Sequence, residues 1–174
     1  DDIAVLNYDD PVVRDMARLT PAKVSFFSRK SEVPRGLFLS GSTVIYRDEA
    51  GEWPLIDAGE IRIPGGHNLE NAMLSSLLAL GMGISADAVR ETLKTFPGVE
   101  HRIEFVREFE GVTYINDSKG TNPDSTIKAV QAMTRPTVLI LGGFDKHSDF
   151  HELFEHFHGS KVKALVVLGA TQKI

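Results

Sequence analysis

The sequence has 174 residues, 42% hydrophobic and 25% charged, enough to bury a core in one large domain or two small ones. A net charge of −5 excludes a general attraction to nucleic acid or to an anionic membrane surface, so any anionic ligand must be held by local basic groups. With no cysteine, the chain has no disulfide, thiolate metal site or cysteine nucleophile, which fits a reducing cytoplasm, and no apolar run reaches transmembrane length. Asp1-Asp2 resembles neither a basic signal region nor an initiator methionine, so we expect the sequence to start within a longer protein or after processing.

In chain order, Ile3 to Asn7 reads as a buried strand. Asp9-Asp10-Pro11 then supplies an N-cap and a first-turn proline for a short helix running through Met16 to Leu19. A second strand is expected at Val24 to Phe27. Between Leu37 and Ile56, turn signals at Gly41-Ser42 and Glu49-Ala50-Gly51 separate short β runs, a small meander on which Trp53 packs as a core or rim residue. Gly65-Gly66-His67-Asn68 leads into a helix whose apolar positions Leu69, Met73, Leu77 and Leu80 recur at helical spacing. Asn68 and Asn71 are three apart and share a face at its amino end, where two amides suit the edge of a planar ring such as adenine. The competing reading of Asn68 is a plain helix cap. Gly65-Gly66 lacks the Lys-Ser/Thr of a phosphate-binding P-loop, so the phosphates of a nucleotide would be cradled outside this sequence. A second helix starts at the N-cap Ser85, turns Val89, Leu93 and Phe96 inward, and ends at Pro97-Gly98.

Beyond Pro97-Gly98 the pattern changes from consecutive helices to two β runs, Ile103 to Arg107 and Val112 to Ile115, joined as a hairpin at Phe109-Glu110-Gly111. This change divides the chain into residues 1–97 and 98–174. Arg102, just past the boundary, suits either a reach back to a phosphate or a surface salt bridge. Asn116-Asp117-Ser118-Lys119-Gly120-Thr121-Asn122-Pro123 follows the hairpin and gathers an acid, an ammonium, two hydroxyls and two amides at the start of a helix. Two readings apply: an anion site at a helix N-terminus, or an ordinary capped loop with Asn122 as N-cap and Pro123 at the first helical position. The helix carries Thr126, Ile127, Val130 and Met133, and a fully buried strand, Thr137 to Leu141, completes a βαβ unit. That strand runs into Gly142-Gly143-Phe144-Asp145-Lys146 at a carboxyl edge, where open α/β sheets put ligands, and Lys146 adds a second ammonium to that of Lys119. Asp149 is expected to cap a helix with Phe150, Leu153, Phe154 and Phe157 as its core stripe. His147, His151, His156 and His158 lack the spacing of a metal site and read as a solvated face, and Ala164 to Gly169 forms a further parallel-type strand. The fold class is α/β, with a mostly parallel sheet in the second part.

With these residues assembled, the chain resembles the Mur ligases. Four motifs carry the resemblance, in order: Gly66-His67-Asn68 with Asn71; Pro97-Gly98 followed by His101-Arg102-Ile103-Glu104; Asn116-Asp117-Ser118-Lys119-Gly120-Thr121-Asn122; and Gly142-Gly143 with Lys146. The first two are spread across the family, while the third and fourth point to its D-glutamate-adding branch. The resemblance implies that 1–97 is the later part of a central ATPase domain and 98–174 the first part of a Rossmann-like C-terminal domain that receives the amino acid. It implies a cytoplasmic, monomeric ligase of peptidoglycan synthesis, in which ATP converts the carboxylate of UDP-N-acetylmuramoyl-L-alanine to an acyl phosphate that D-glutamate attacks. On this pattern Asn68 and Asn71 face the adenine, Arg102 and Asp117 contact the nucleotide, Lys119 stands near the phosphate as the catalytic residue, and Thr121 and Lys146 hold a D-glutamate carboxylate. The cofactors implied are ATP and Mg2+. The P-loop and the metal ligands are expected outside this chain, so the chain alone is expected to be inactive. The alternatives are another amide ligase on the same module, such as a different Mur ligase or a folylpolyglutamate synthetase, and a non-catalytic nucleotide-binding module.

Overall fold

The structure, a computed structural model, describes residues 2–143 and 149–169. The chain folds into two compact units, Asp1–Pro97 and Gly98–Ile174.

In the first unit, five strands form one sheet in sequence order: β1 (Ile3–Asn7), β2 (Lys23–Ser28), β3 (Gly36–Ser40), β4 (Thr43–Asp48) and β5 (Gly51–Asp57). β1, β2 and β3 pair in parallel, and β3 to β5 form the antiparallel meander. Pro54 lies on the edge strand β5, where a missing ladder donor is tolerated. Trp53 is half-buried at the rim, its ring centroid 4.6 Å from that of Tyr46. Between β1 and β2, Asp10 caps α1 (Pro11–Asp15) by accepting the Val12 and Val13 N–H groups at 2.8 and 3.1 Å. The expected helix to Leu19 changes character on the way, because Met16–Leu19 tightens into a 3-10 turn. Met16 is 46% and Leu19 83% exposed, so little apolar burial holds that stretch in α geometry.

Helices α2 (Gly66–Gly81) and α3 (Ala86–Thr95) complete the first core, in which Phe27, Leu37, Val44, Leu55 and Ile56 of the sheet meet Met73 and Leu77 of α2 and Val89 of α3. Leu93 packs against this cluster as its spacing predicts. Phe96 does not turn inward. It follows the last turn of α3 in an extended conformation and is 42% exposed, since helical periodicity no longer sets its direction.

The second unit opens with the antiparallel hairpin of β6 (Glu104–Phe109) and β7 (Val112–Asn116). Its two central residues, Glu110 and Gly111, both have left-handed backbones with φ of 50° and 76°, the requirement of a turn whose twist matches the strands. α4 (Pro123–Ala132), β8 (Thr137–Gly143), α5 (His151–Glu155) and β9 (Val162–Gly169) follow, and β8 and β9 pair in parallel. The expected βαβ unit is therefore displaced by one strand. Among the described residues β7 hydrogen-bonds only to β6, and the parallel crossover runs from β8 to β9. A two-residue turn closes the hairpin at far lower entropic cost than a crossover.

β8 is half-buried rather than fully buried, with Val138 61% and Ile140 66% exposed. The described core of this unit consists of Ile103, Ile127, Ala129, Val130 and Leu153. Of the stripe expected on α5, Leu153 is buried and Phe154 is 53% exposed, in edge contact with Phe157. Asp149 stands one residue before the cap position, which Phe150 occupies, and its Oδ1 accepts the His151 N–H at 2.9 Å. Among the described residues no three His, Asp or Glu side chains gather into a metal-binding group, and no helix is long and apolar enough to cross a membrane. His147 lies outside the described residues.

Candidate functional site

In the first unit, the amino end of α2 is shaped by Gly65, which takes the cap position with φ of 100°. Asn68 is therefore not the cap. It lies inside the first turn, where its Nδ2 donates to the Pro64 carbonyl at 2.6 Å, and Asn71 is exposed on the same face. A Cβ on Gly66 would fall 1.9 Å from Arg29 Nη1, so a side chain there would have to displace that guanidinium, whose Nε donates to Glu70 Oε1 at 2.8 Å. Beside this helix start lies an open cavity of about 360 Å³, with Ala58, Gly59, Ile61, Ile63, Pro64 and Gly65 among its lining.

In the second unit, the Asn116–Pro123 stretch is a tightly hydrogen-bonded loop. Asn116 Oδ1 accepts the Ser118 N–H at 3.1 Å, and the Asp117 carbonyl accepts the Gly120 N–H at 2.8 Å. The Asp117 carboxylate faces back toward the start of the unit. Its Oδ1 accepts the Ile103 N–H at 3.0 Å, and Arg102 Nη1 donates to its two oxygens at 3.3 and 3.4 Å. The side chains of this pair are 25% and 19% exposed, so Arg102 makes neither a surface salt bridge nor a free cation but a half-buried pair. Lys119 donates its N–H to the His101 carbonyl at 2.9 Å and leaves its side chain exposed. Asn122 accepts the Ser125 N–H at 2.8 Å as the cap of α4, and Pro123 takes the first helical position. The two readings of this loop coexist, since the cap is formed and Lys119 and Thr121 remain exposed ahead of it.

Arg102, Asp117 and the Lys119 backbone are thus brought together in the second unit, with Thr121 further along the same loop, while Asn68 and Asn71 stand in the first. Lys146 lies outside the described residues. Around Arg102 the sequence motif gave no functional role to three residues, His101, Ile103 and Glu104, and Ile103, expected to open the strand, precedes it by one residue. Glu104 Oε2 accepts the His101 N–H at 2.8 Å, and both His101 and Ile103 have positive φ, 64° and 47°. Histidine is only somewhat enriched at such backbones and isoleucine is an outlier there, so sequence pattern offers little cue to the pair.

Residues 101–173 match the family model described as Mur ligase, glutamate ligase domain. Over 173 residues the chain is 50% identical to the UDP-N-acetylmuramoylalanine--D-glutamate ligase of Thermoanaerobacter sp. (strain X514), covering 99% of this chain and 38% of that protein. The chain thus spans well under half the length of the curated relatives it matches. Among solved structures, MurF from Acinetobacter baumannii is similar with a TM-score of 0.65 at 16% identity, covering 94% of this chain and 42% of that one. The MurF ligase of Thermotoga maritima in complex with ADP gives 0.64 at 19% identity, covering 95% and 40%. At such identities the structural likeness speaks for the fold, and the curated relative for the lineage. Residues 101–173 thus belong to the family described as Mur ligase, glutamate ligase domain, and the chain as a whole is similar to part of a D-glutamate ligase.

Proposed function

We propose that this chain is part of an ATP-dependent amide ligase that adds D-glutamate to UDP-N-acetylmuramoyl-L-alanine in peptidoglycan synthesis. Residues 1–97 would be the later part of its ATP-binding domain, and 98–174 the first part of the domain that receives D-glutamate. The observation that carries this reading is 50% identity to a D-glutamate ligase across 99% of the chain. ATP, when bound, supplies the phosphoryl group that turns a poorly electrophilic carboxylate into an acyl phosphate.

The residues present fit that nucleotide. Asn68 and Asn71, on one face at the start of α2, would face the adenine ring beside the cavity there. Arg102 and Asp117, already paired, offer a donor and an acceptor to the ribose and phosphates. Lys119, exposed ahead of α4, would offset charge on the transferred phosphoryl group, and Thr121 and Lys146 would hold a carboxylate of D-glutamate. No nucleophilic side chain is needed, because positioning the amine against an activated carbonyl supplies most of the rate. Mg2+ and the phosphate cradle would be held by residues outside this chain, and the whole enzyme would act as a cytoplasmic monomer.

The test is ADP release by the full-length protein given ATP and UDP-N-acetylmuramoyl-L-alanine. Release that requires D-glutamate and is not supported by L-glutamate or L-alanine is expected; release driven by another amino acid would move the protein to a different ligase. Lys146→Ala should raise KM for D-glutamate by about 10- to 100-fold, the loss of one charge-assisted hydrogen bond, and leave KM for ATP within about threefold. Equal rises in both constants would remove Lys146 from the D-glutamate site.

A further inference from the structure

The first residues of the second unit hold two non-glycine backbones in the left-handed region, His101 at φ 64° and the β-branched Ile103 at φ 47°. Such conformations persist only where surrounding groups over-determine them. Two carboxylates do so here, each through a backbone N–H. Glu104 Oε2 accepts from His101 at 2.8 Å, and Asp117 Oδ1 accepts from Ile103 at 3.0 Å. The buried side chain of Ile103, 8% exposed, anchors the segment from below. Glu104 Oε2 also accepts from Asn116 Nδ2 at 3.3 Å, and that nitrogen lies 2.9 Å from His101 Nδ1. Asn116 in turn accepts the Ser118 N–H through its Oδ1 at 3.1 Å. The His101 carbonyl, whose direction is set by this left-handed turn, accepts the Lys119 N–H at 2.9 Å.

The Lys119 main chain is thus tied down by one route through the His101 carbonyl and another through Asn116 and Ser118, and both routes meet at one carboxylate oxygen of Glu104. Arg102 sits between the two left-handed residues, so its direction depends on the same clamp. We infer that Glu104 is a positioning residue for Lys119 and for the Arg102–Asp117 pair, acting through the His101 and Asn116 hydrogen bonds and touching no substrate. This rests on the reading that Lys119, Arg102 and Asp117 serve nucleotide-dependent amide formation.

Because both bonds end on a single oxygen, a glutamine amide oxygen can replace it and an alanine cannot. In the full-length protein, Glu104→Ala should lower kcat on the order of 10- to 100-fold with KM for D-glutamate little changed, while Glu104→Gln stays within about threefold of wild type. In a Lys119→Ala background the same Glu104→Ala change should cost clearly less than it does alone, since one of the groups it positions is already gone and only the Arg102–Asp117 pair is left to be disturbed. If the alanine variant does not fold, Glu104→Asp, whose shorter carboxylate cannot span both donors, takes its place in the same cycle. Multiplicative losses in the double variant, or a glutamine variant as impaired as alanine, would overturn the inference. A wild-type protein without D-glutamate-dependent ADP release would instead overturn the functional reading beneath it.

Discussion

Gly120 is a glycine for reasons of space. A Cβ there would stand 2.7 Å from Asp117 Oδ2 and 3.1 Å from the Asp117 carbonyl, while that same carboxylate receives Arg102 and the Ile103 N–H. Gly120→Ala should therefore push Asp117 off its partners and destabilise the second unit by about 1–3 kcal/mol, seen as a lower Tm in thermal unfolding; an unchanged Tm would show that the loop absorbs the methyl group. Asp57 offers a test by pH. The hydrogen bond from Ser42 Oγ, and after it that from the Gly59 N–H, hold its carboxyl below the ordinary value of 3.8. A carboxyl lowered in the folded state stabilises the protein above its unfolded pKa, and that contribution disappears as pH falls through the folded pKa. Ser42→Ala should then weaken the fold at about pH 7 and differ much less from wild type at about pH 3, as urea melts at the two values would record. A difference undiminished in acid would mean that Ser42 acts through packing and not through the Asp57 charge.

Helix starts were the most legible elements. Asp10, Ser85 and Asn122 each accept a backbone N–H two or three residues ahead, as their side chains and positions suggest. For α4 this gives a prediction that separates the cap from any ligand role of the loop. Asn122→Ala should cost about 1 kcal/mol in equilibrium unfolding, and Asn122→Ser should recover most of it; a serine variant as unstable as alanine would mean that the amide has a partner besides the helix. Strand partners were less legible. The hairpin of β6 and β7 is legible from Phe109-Glu110-Gly111 and forms with a register from Glu104↔Asn116 to Phe109↔Val112, but the parallel pairing expected across α4 is not made, since among the described residues β8 pairs with β9 instead. Helix α2 shows the same limit at its start. Asn68 has a good capping side chain, yet the chain takes its cap three residues earlier at Gly65, and the Asn68 amide instead donates to the Pro64 carbonyl.

At the scale of the molecule, candidate residues fall in both units, Asn68 and Asn71 in the first and Arg102, Asp117, Lys119 and Thr121 in the second, and neither unit contains a Gly-x-x-x-x-Gly-Lys-Ser/Thr loop. The purified 174-residue chain should accordingly release no phosphate from ATP under conditions where the full-length protein does; measurable turnover by the chain itself would place the phosphate cradle within it. The sequence by itself determined the chemistry available: the amides of Asn68 and Asn71, the polar loop from Asn116 to Pro123, the helix caps and the α/β class, because each depends on residue type and on spacings of a few residues. Only the tertiary structure decided that Arg102 pairs with Asp117, that Phe96 faces outward, that β8 pairs with β9, and that Glu104 accepts the N–H of a left-handed His101. Those outcomes join groups whose encounter depends on how hinge, hairpin and loop converge, and hydrogen bonds between such groups can hold a backbone in a conformation that local preference opposes.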